Sequence, residues 1–183
     1  MRQQKIEGII LRTQPFFEKD KKVEIFSPTH GKCVFLAKGT SSSKSRFGGR
    51  LEVSNHVVFS IYKGKSFGVV TDCDLKKSYL NIREDFNLIA LMCYFFDIIR
   101  KSTVYDQHNE PFFKLLAETL DLIEANNKDS DEKSYEKIKS FFYRRYLQIE
   151  GLLKENKGFI SDYEFQIKFE EYSSNKLVQP VLI

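Results

Sequence analysis

The sequence predicts an α+β protein, in which an N-terminal five-stranded, OB-like β-barrel is followed by a C-terminal helical domain. Short β-rich runs follow one another through the first eighty residues, at a spacing too tight for crossover helices. Beyond residue 80 the apolar residues recur at helical spacing instead. We therefore expect the barrel over residues 1–80 and the helical domain over residues 81–183. An SH3-like barrel is the alternative to the OB-like one.

Five β-rich runs carry the barrel prediction. Residues 27–31 (SPTHG) are typical of a turn, because proline presets φ and glycine accepts positive φ. Residues 63–66 (KGKS) have the composition of a hairpin connection between the last two runs. The predicted strands cover residues 6–13, 23–26, 33–37, 53–62 and 67–75.

The second half of the chain shows three helical patterns and one alternating pattern. Asn81 and Glu84 have the spacing of a capping box, and Gly151 is placed to end the last helix. Residues 163–169 alternate strictly between apolar and polar, which predicts a strand. The predicted helices cover residues 81–101, 109–126 and 133–150.

Charge is divided unevenly along the chain. Residues 1–80 carry 15 Lys/Arg and 7 Asp/Glu, whereas residues 81–183 carry 14 and 18. The first half therefore has a formal charge of +8 and the second half −4. Such a split predicts that the N-terminal half meets a polyanion.

The motifs of catalysis and of metal binding are missing. The phosphate-loop ending at residues 64–66 lacks its first glycine, because position 59 is Phe. Asp72 and Asp74 share a strand face without a third ligand nearby in sequence. The three histidines are isolated, and no two of the three cysteines form a CxxC pair. We expect no catalytic site, no metal and no cofactor.

Neither a membrane span nor a signal core is expected. The longest apolar run, residues 88–99, is about 12 residues, and a bilayer needs about 20. The first residues, MRQQKIEG, lack the apolar core of a signal peptide. We therefore expect a cytoplasmic protein.

The loop at residues 38–50 is the strongest candidate for binding. It has four cations and no acid, together with three glycines and one aromatic ring. Cations release the counterions of a phosphate chain, glycines let the backbone approach it, and a phenylalanine offers a stacking face. This composition suits single-stranded nucleic acid, and a flexible barrel loop is the alternative interpretation. The candidate residues are Lys38, Lys44, Arg46, Phe47 and Arg50.

The third predicted helix has a local basic face. Lys139, Arg144 and Arg145 lie within two turns of each other, with Lys137 beside them. This face can bind an acidic peptide or extend a track for DNA. The alternative is the solvated side of an amphipathic helix.

A set of short motifs occurs in a fixed order along the chain. They are GIILR at 8–12, EKD at 18–20, FSPTHGK at 26–32, AKG at 37–39, KSRFGG at 44–49, YKGK at 62–65, RED at 83–85 and RRYLQIEG at 144–151. In this order and at these intervals the motifs resemble those of the bacterial RecO recombination-mediator family. The resemblance covers most of residues 6–100 and, more loosely, residues 110–151.

The resemblance implies an OB-fold domain, a helical domain and a non-enzymatic function. Proteins of this family bind single- and double-stranded DNA, anneal complementary strands and act with RecR to displace single-strand-binding protein, so that RecA can load. The family's basic barrel loop corresponds here to Lys38, Lys44 and Arg46, and Arg12 of the first motif joins the expected DNA-binding set. A nucleoid-associated location in the cytoplasm follows from the same resemblance.

Two departures from the family pattern bear on function. Ser41 and Ser42 stand where many members have basic residues, which predicts weaker phosphate contacts. Many members have a four-cysteine zinc site after the region of Gly151, and this chain has no cysteine beyond Cys93. We expect at most a metal-free remnant at residues 155–172 and, since the chain is shorter than is usual for the family, the loss of the last helices.

The sequence thus predicts a DNA-binding recombination mediator. The alternative is an adaptor that binds the acidic tail of single-strand-binding protein through Lys139, Arg144 and Arg145, with little DNA contact of its own.

Overall fold

The computed structural model describes residues 3–40, 45–62, 67–126, 132–153, 158–175, 177 and 180. The chain forms two compact units. The barrel unit consists of Met1–Ser78 with Thr103–Phe113, and the helical unit consists of Tyr79–Ser102 with Lys114–Ile183. Among the described residues, no helix combines the length and the apolar character that crossing a membrane requires.

Five strands close the barrel in the order β1-β2-β3-β5-β4, with β4 returning to β1. The strands β3 and β5 run parallel over three residue pairs, and the other neighbours are antiparallel. This topology confirms the OB-like prediction over the SH3-like alternative. The strands are β1 (Gln3–Phe16), β2 (Asp20–Ser27), β3 (Gly31–Ala37), β4 (His56–Tyr62) and β5 (Gly68–Lys77).

Alternation along the strands fills the barrel. Because successive side chains of a strand point to opposite faces, Val57, Phe59 and Ile61 of β4 all enter the core. Val23 and Ile25 of β2 enter it in the same way. The predicted hairpin connection at residues 63–66 lies outside the described residues.

The segment 103–113 belongs to the barrel unit, although the sequence analysis placed it in the helical domain. Lys32 of β3 holds this segment. Its ammonium donates to the carbonyl of Thr103 at 2.7 Å, and its own carbonyl accepts from the amide of Asp106 at 3.0 Å. The ring of Tyr105 lies 4.5 Å from the Lys32 Nζ. The segment thus covers the edge of β3 that precedes the pairing with β5.

Ser54, just before β4, has a strained backbone and an unsatisfied hydroxyl. Its φ is 77°, its side chain is fully buried, and its Oγ has no hydrogen-bond partner among the residues that the structure describes. Both features disappear in glycine, which adopts positive φ at little cost. We expect Ser54→Gly to raise the free energy of unfolding by about 1 kcal/mol. Urea denaturation measures this, and a lower midpoint in the variant would contradict the assignment.

The helical unit departs from the predicted helix over residues 81–101. Asp85 has an extended backbone and divides this stretch in two. Its carboxylate accepts from the amides of Asn87 at 2.8 Å and Leu88 at 3.2 Å, so Asp85 caps the second helix. The amide of Asn81 instead donates to the carboxylate of Glu124. The helices are α1 (Leu80–Glu84), α2 (Phe86–Ser102), α3 (Glu110–Glu124), α4 (Glu132–Ile149) and α5 (Asp162–Ser173).

The strand predicted over residues 163–169 is wrong, because these residues belong to α5. The hydroxyl of Ser161 caps this helix by accepting from the amide of Glu164. Phe165 and Phe169 are four residues apart, so they share one helix face, and both are fully buried. Within 155–172, the range expected to hold a remnant of the family's zinc site, the described residues at 162–172 are helical.

Aromatic contacts hold α5 against α4. The Phe165 ring stacks on Tyr143 with centroids 4.0 Å apart. The Tyr143 hydroxyl lies 2.8 Å from Asp162 Oδ1 and 2.9 Å from the Tyr94 hydroxyl. Burial, with Tyr94 and Asp162 next in effect, raises the pKa of Tyr143 well above its ordinary value. Residues 163–169 therefore form a helix rather than a strand, because α4 provides aromatic side chains on which the α5 rings pack.

Candidate nucleic-acid interface

The basic loop between β3 and β4 begins beside the turn between β1 and β2. The Thr40 amide donates to the carbonyl of Lys19 at 2.7 Å, and the Gly39 amide donates to Asp20 Oδ1 at 3.0 Å. Lys38 and Lys19 are both exposed. In OB barrels the β1–β2 turn and the β4–β5 loop flank the face that binds oligonucleotides. These bonds therefore hold the start of the basic loop at one border of that face.

The second half of the basic loop is bound to β5. The Arg46 guanidinium donates to the carbonyl of Thr71 at 3.1 Å, and Arg46 is exposed. Arg50 donates to the carbonyls of Cys73 at 2.8 Å, of Phe47 at 3.1 Å, and of Arg46. Arg50 is therefore chiefly a clamp on the loop, whereas the charge of Arg46 is presented to solvent.

Phe47 cannot act as the predicted stacking face. Its ring is 1% exposed and belongs to the barrel core, as does the side chain of Leu51. A loop that crosses from β3 to β4 has to cover the interior of the barrel, and Phe47 and Leu51 supply large apolar side chains for this. Burial of the ring stabilises the barrel by an amount typical of a core phenylalanine, about 2 kcal/mol.

The other two expected DNA-binding residues have different outcomes. Arg12 is exposed on β1, where its guanidinium faces the side-chain amide of Gln14 and where Glu24 of β2 is its partner in register. Lys44 lies outside the described residues. The DNA-binding roles of Lys38, Lys44, Arg46, Arg50 and Arg12 remain predictions.

Exposed aromatic rings lie elsewhere on the barrel, at the β1–β2 turn. We use the term aromatic cluster for Phe16, Phe17, Lys22 and Phe67. Phe17 is 80% exposed and Phe67 is 37% exposed. The Phe16 and Phe17 rings meet edge to face with centroids 4.4 Å apart. The ammonium of Lys22 lies 4.4 Å from the Phe16 centroid and 5.0 Å from the Phe67 centroid.

The aromatic cluster is not among the sites predicted from the sequence, although the sequence carries a signal for it. Phe16 ends β1, and Phe17 follows it in the turn, directly before the charged residues 18–22. A large apolar side chain in a short charged turn of a barrel is a candidate for exposure. Phe67 reaches the cluster only through closure of the barrel, which sequence spacing does not reveal.

Among the residues it describes, the structure brings together no group of side chains that resembles a metal site. No cluster of three or more His, Cys, Asp and Glu side chains could hold a metal ion in the described ranges. His56 pairs with Glu7 at 2.8 Å, and His30 lies 2.9 Å from the amide of Gln4. Burial raises the pKa of both Cys33 and Cys73 to about 12, so neither thiol is a reactive thiolate at neutral pH.

One cation of the basic face predicted on α4 is paired with an acid of the same protein. Lys139 forms an ion pair with Asp162 at 2.6 Å, and its side chain is 12% exposed. This pair exists because α5 is a helix that begins at Asp162 and packs on α4. The partner-binding role predicted for Lys139 stays a prediction, although its ammonium is already paired with Asp162. Arg145 is exposed and Arg144 is half-buried, and their role remains a prediction.

Together these features define a class of protein, in which a closed OB barrel with a cationic loop is joined to a separate helical unit. Residues 1–79 match the family described as "Recombination protein O N terminal". Residues 1–79 of this chain are thus similar to the N-terminal domain of the RecO family.

Curated proteins named after the same family are similar to this chain. Proteins named "DNA repair protein RecO" from Bacillus mycoides (strain KBAB4), Bacillus cereus (strain B4264) and Bacillus anthracis (strain CDC 684) are each 33% identical to this chain over 117 residues. The matched stretch covers 64% of this chain and 47% of each relative. The chain thus matches about half the length of these relatives.

Proposed function

We propose that this protein is a DNA-binding recombination mediator in DNA repair and that it works without making or breaking covalent bonds. The observation that carries the proposal is the cationic β3–β4 loop, tied at Thr40 to the β1–β2 turn of an OB barrel. The RecO N-terminal match of the same residues supports it. The net charge of +8 over residues 1–80 is of the sign that a phosphate chain requires.

Annealing of complementary strands follows from electrostatics. A cationic surface that binds two strands at once lowers the repulsion between their phosphates, so the strands meet more often in a pairing orientation. Lys38, Lys44 and Arg46 contact phosphates in this proposal, while Arg50 holds the loop in place. No nucleotide hydrolysis is needed.

The partners are proposed from the resemblance. Single- and double-stranded DNA are the direct ligands, and RecR is the protein partner with which single-strand-binding protein is displaced so that RecA loads. The name of the similar proteins, "DNA repair protein RecO", supports the repair context.

An annealing assay tests the proposal. Two complementary fluorescent oligonucleotides are mixed with the protein at low and at moderate salt, without nucleotide or metal. We expect faster annealing with added protein and a loss of this effect as salt rises. If four to six phosphates are neutralised, log affinity for a single strand falls with log salt at a slope of about −3 to −4. A salt-independent affinity would contradict the electrostatic mechanism.

An adaptor function is the second candidate, because Arg145 is exposed on α4, in the helical unit. In this case Arg144 and Arg145 bind the acidic tail of single-strand-binding protein. Charge reversal of both residues would then abolish binding of an acidic tail peptide and leave DNA affinity intact. An unchanged peptide affinity would exclude this function for the two arginines.

A further inference from the structure

We infer that the aromatic cluster is a stacking site for unpaired nucleobases, which makes the barrel unit prefer single strands to duplexes. The inference rests on the proposed DNA-binding function and adds to it the form of DNA that this face selects.

The backbone of Phe17 indicates that its exposure is not incidental. Its φ is 56°, in the left-handed region that glycine and asparagine normally occupy in tight turns. A bulky residue there costs about 1 kcal/mol or more, and its ring recovers little of this, since it is 80% exposed. Strained backbone of this kind concentrates at functional sites. A ring held outward at the border of the OB ligand face is available to a ligand.

Lys22, the cation of the aromatic cluster, favours a ligand that combines a flat ring with a negative charge. The Lys22 ammonium lies 4.4 Å from the ring centroid of Phe16 and 5.0 Å from that of Phe67, so aromatic rings and a positive charge are presented together. Further cations, Lys19 and Lys38, lie on the two segments joined by the Thr40–Lys19 hydrogen bond. A single strand offers the complementary pattern, because each nucleotide joins a flat π-face to a phosphate.

A duplex cannot use the rings in the same way. Its base faces are stacked on one another, and only its phosphates and groove edges are accessible. The cations of the barrel can therefore bind single-stranded and duplex DNA, whereas the aromatic cluster can stack only on the unpaired bases of a single strand. Stacking on one aromatic side chain contributes about 1–3 kcal/mol per base, which is enough to set the preference.

Fluorescence anisotropy at one fixed salt concentration tests this with three probes of equal length. The probes are a single-stranded oligonucleotide, the same strand with abasic sites throughout, and the corresponding duplex. We expect the wild-type protein to bind the base-bearing strand about tenfold more tightly than the abasic strand. In Phe17→Ala this ratio is expected to fall to about two, with the affinities for abasic strand and duplex unchanged.

Leu75→Ala is the matched control, because Leu75 is an apolar residue of the same unit that is 43% exposed. It should leave all three affinities unchanged. The inference is overturned if the wild-type protein binds the abasic strand as tightly as the base-bearing one, or if Phe17→Ala weakens all three probes equally. A wild-type protein that binds none of the probes would instead contradict the proposed DNA-binding function, and the inference with it.

Discussion

We expect replacement of Lys38, Lys44 and Arg46 together by glutamine to weaken the salt dependence of binding to single-stranded DNA. The slope of log affinity against log salt concentration should become less negative by about two. Each phosphate contact on a single strand contributes about 0.7 to this slope, and the variant removes three. Lys38 and Arg46 are exposed, so the change removes charge without opening the core. Anisotropy titrations of a labelled oligonucleotide at several salt concentrations measure the slope.

The control removes the same charge from the helical unit. Lys137, Arg144 and Arg145 are replaced by glutamine, which lowers the net charge by the same amount. We expect the slope of this variant to match that of the wild-type protein. If instead the control flattens the slope and the barrel variant does not, then α4 carries the DNA contacts and the assignment to the barrel loop is wrong. Thermal melts of both variants check that they fold, since Arg46 also donates to Thr71.

Gly31→Ala is expected to destabilise the protein by about 3 kcal/mol. Gly31 starts β3 with a φ of 62°, and an added Cβ would lie 1.9 Å from the carbonyl oxygen of Gln107. Alanine therefore meets both an unfavourable backbone conformation and a backbone atom that cannot yield without moving the 103–113 segment. Urea denaturation gives the free energy of unfolding.

Gly39→Ala separates the two causes. Gly39 also has a positive φ, of 68°, but an added Cβ there would have no atom within 4 Å. Only the backbone cost remains, so a loss of about 1 kcal/mol is expected. Equal losses in the two variants would mean that the approach of Gln107 to Gly31 does not contribute, and that the segment does not pack on β3 as described.

Local pattern determined most of the barrel and the middle of the helical unit. The alternation in β2 and β4 reflects a geometric property of every strand, and the turn at residues 27–31 has the proline and glycine that such a turn requires. The apolar stripe of α4 ends before Gly151, which has the positive φ expected at a helix end. The excess of cations in the first half is likewise a property of the sequence alone.

Two patterns that fit more than one structure were decided by different contacts, one by packing and one by a local cap. Residues 163–169 alternate, but the same spacing places Phe165 and Phe169 on one helix face, and the rings of α4 favour that choice. The sequence of residues 81–101 has the pattern of one helix, but the carboxylate of Asp85 caps the start of α2 within it. The first outcome depends on tertiary contacts with α4, whereas the second depends on a local cap formed within three residues of Asp85.

The roles of individual site residues depended even more on tertiary structure. The sequence by itself determined that the N-terminal half is a cationic β-barrel, because charge and alternation are additive properties that each residue carries into any fold. Only the tertiary structure decided that Phe47 is core, that Lys139 pairs with Asp162, and that Phe17 and Phe67 are exposed around Lys22. These outcomes depend on which groups distant in sequence become neighbours, since burial and ion pairing are properties of neighbours rather than of single residues.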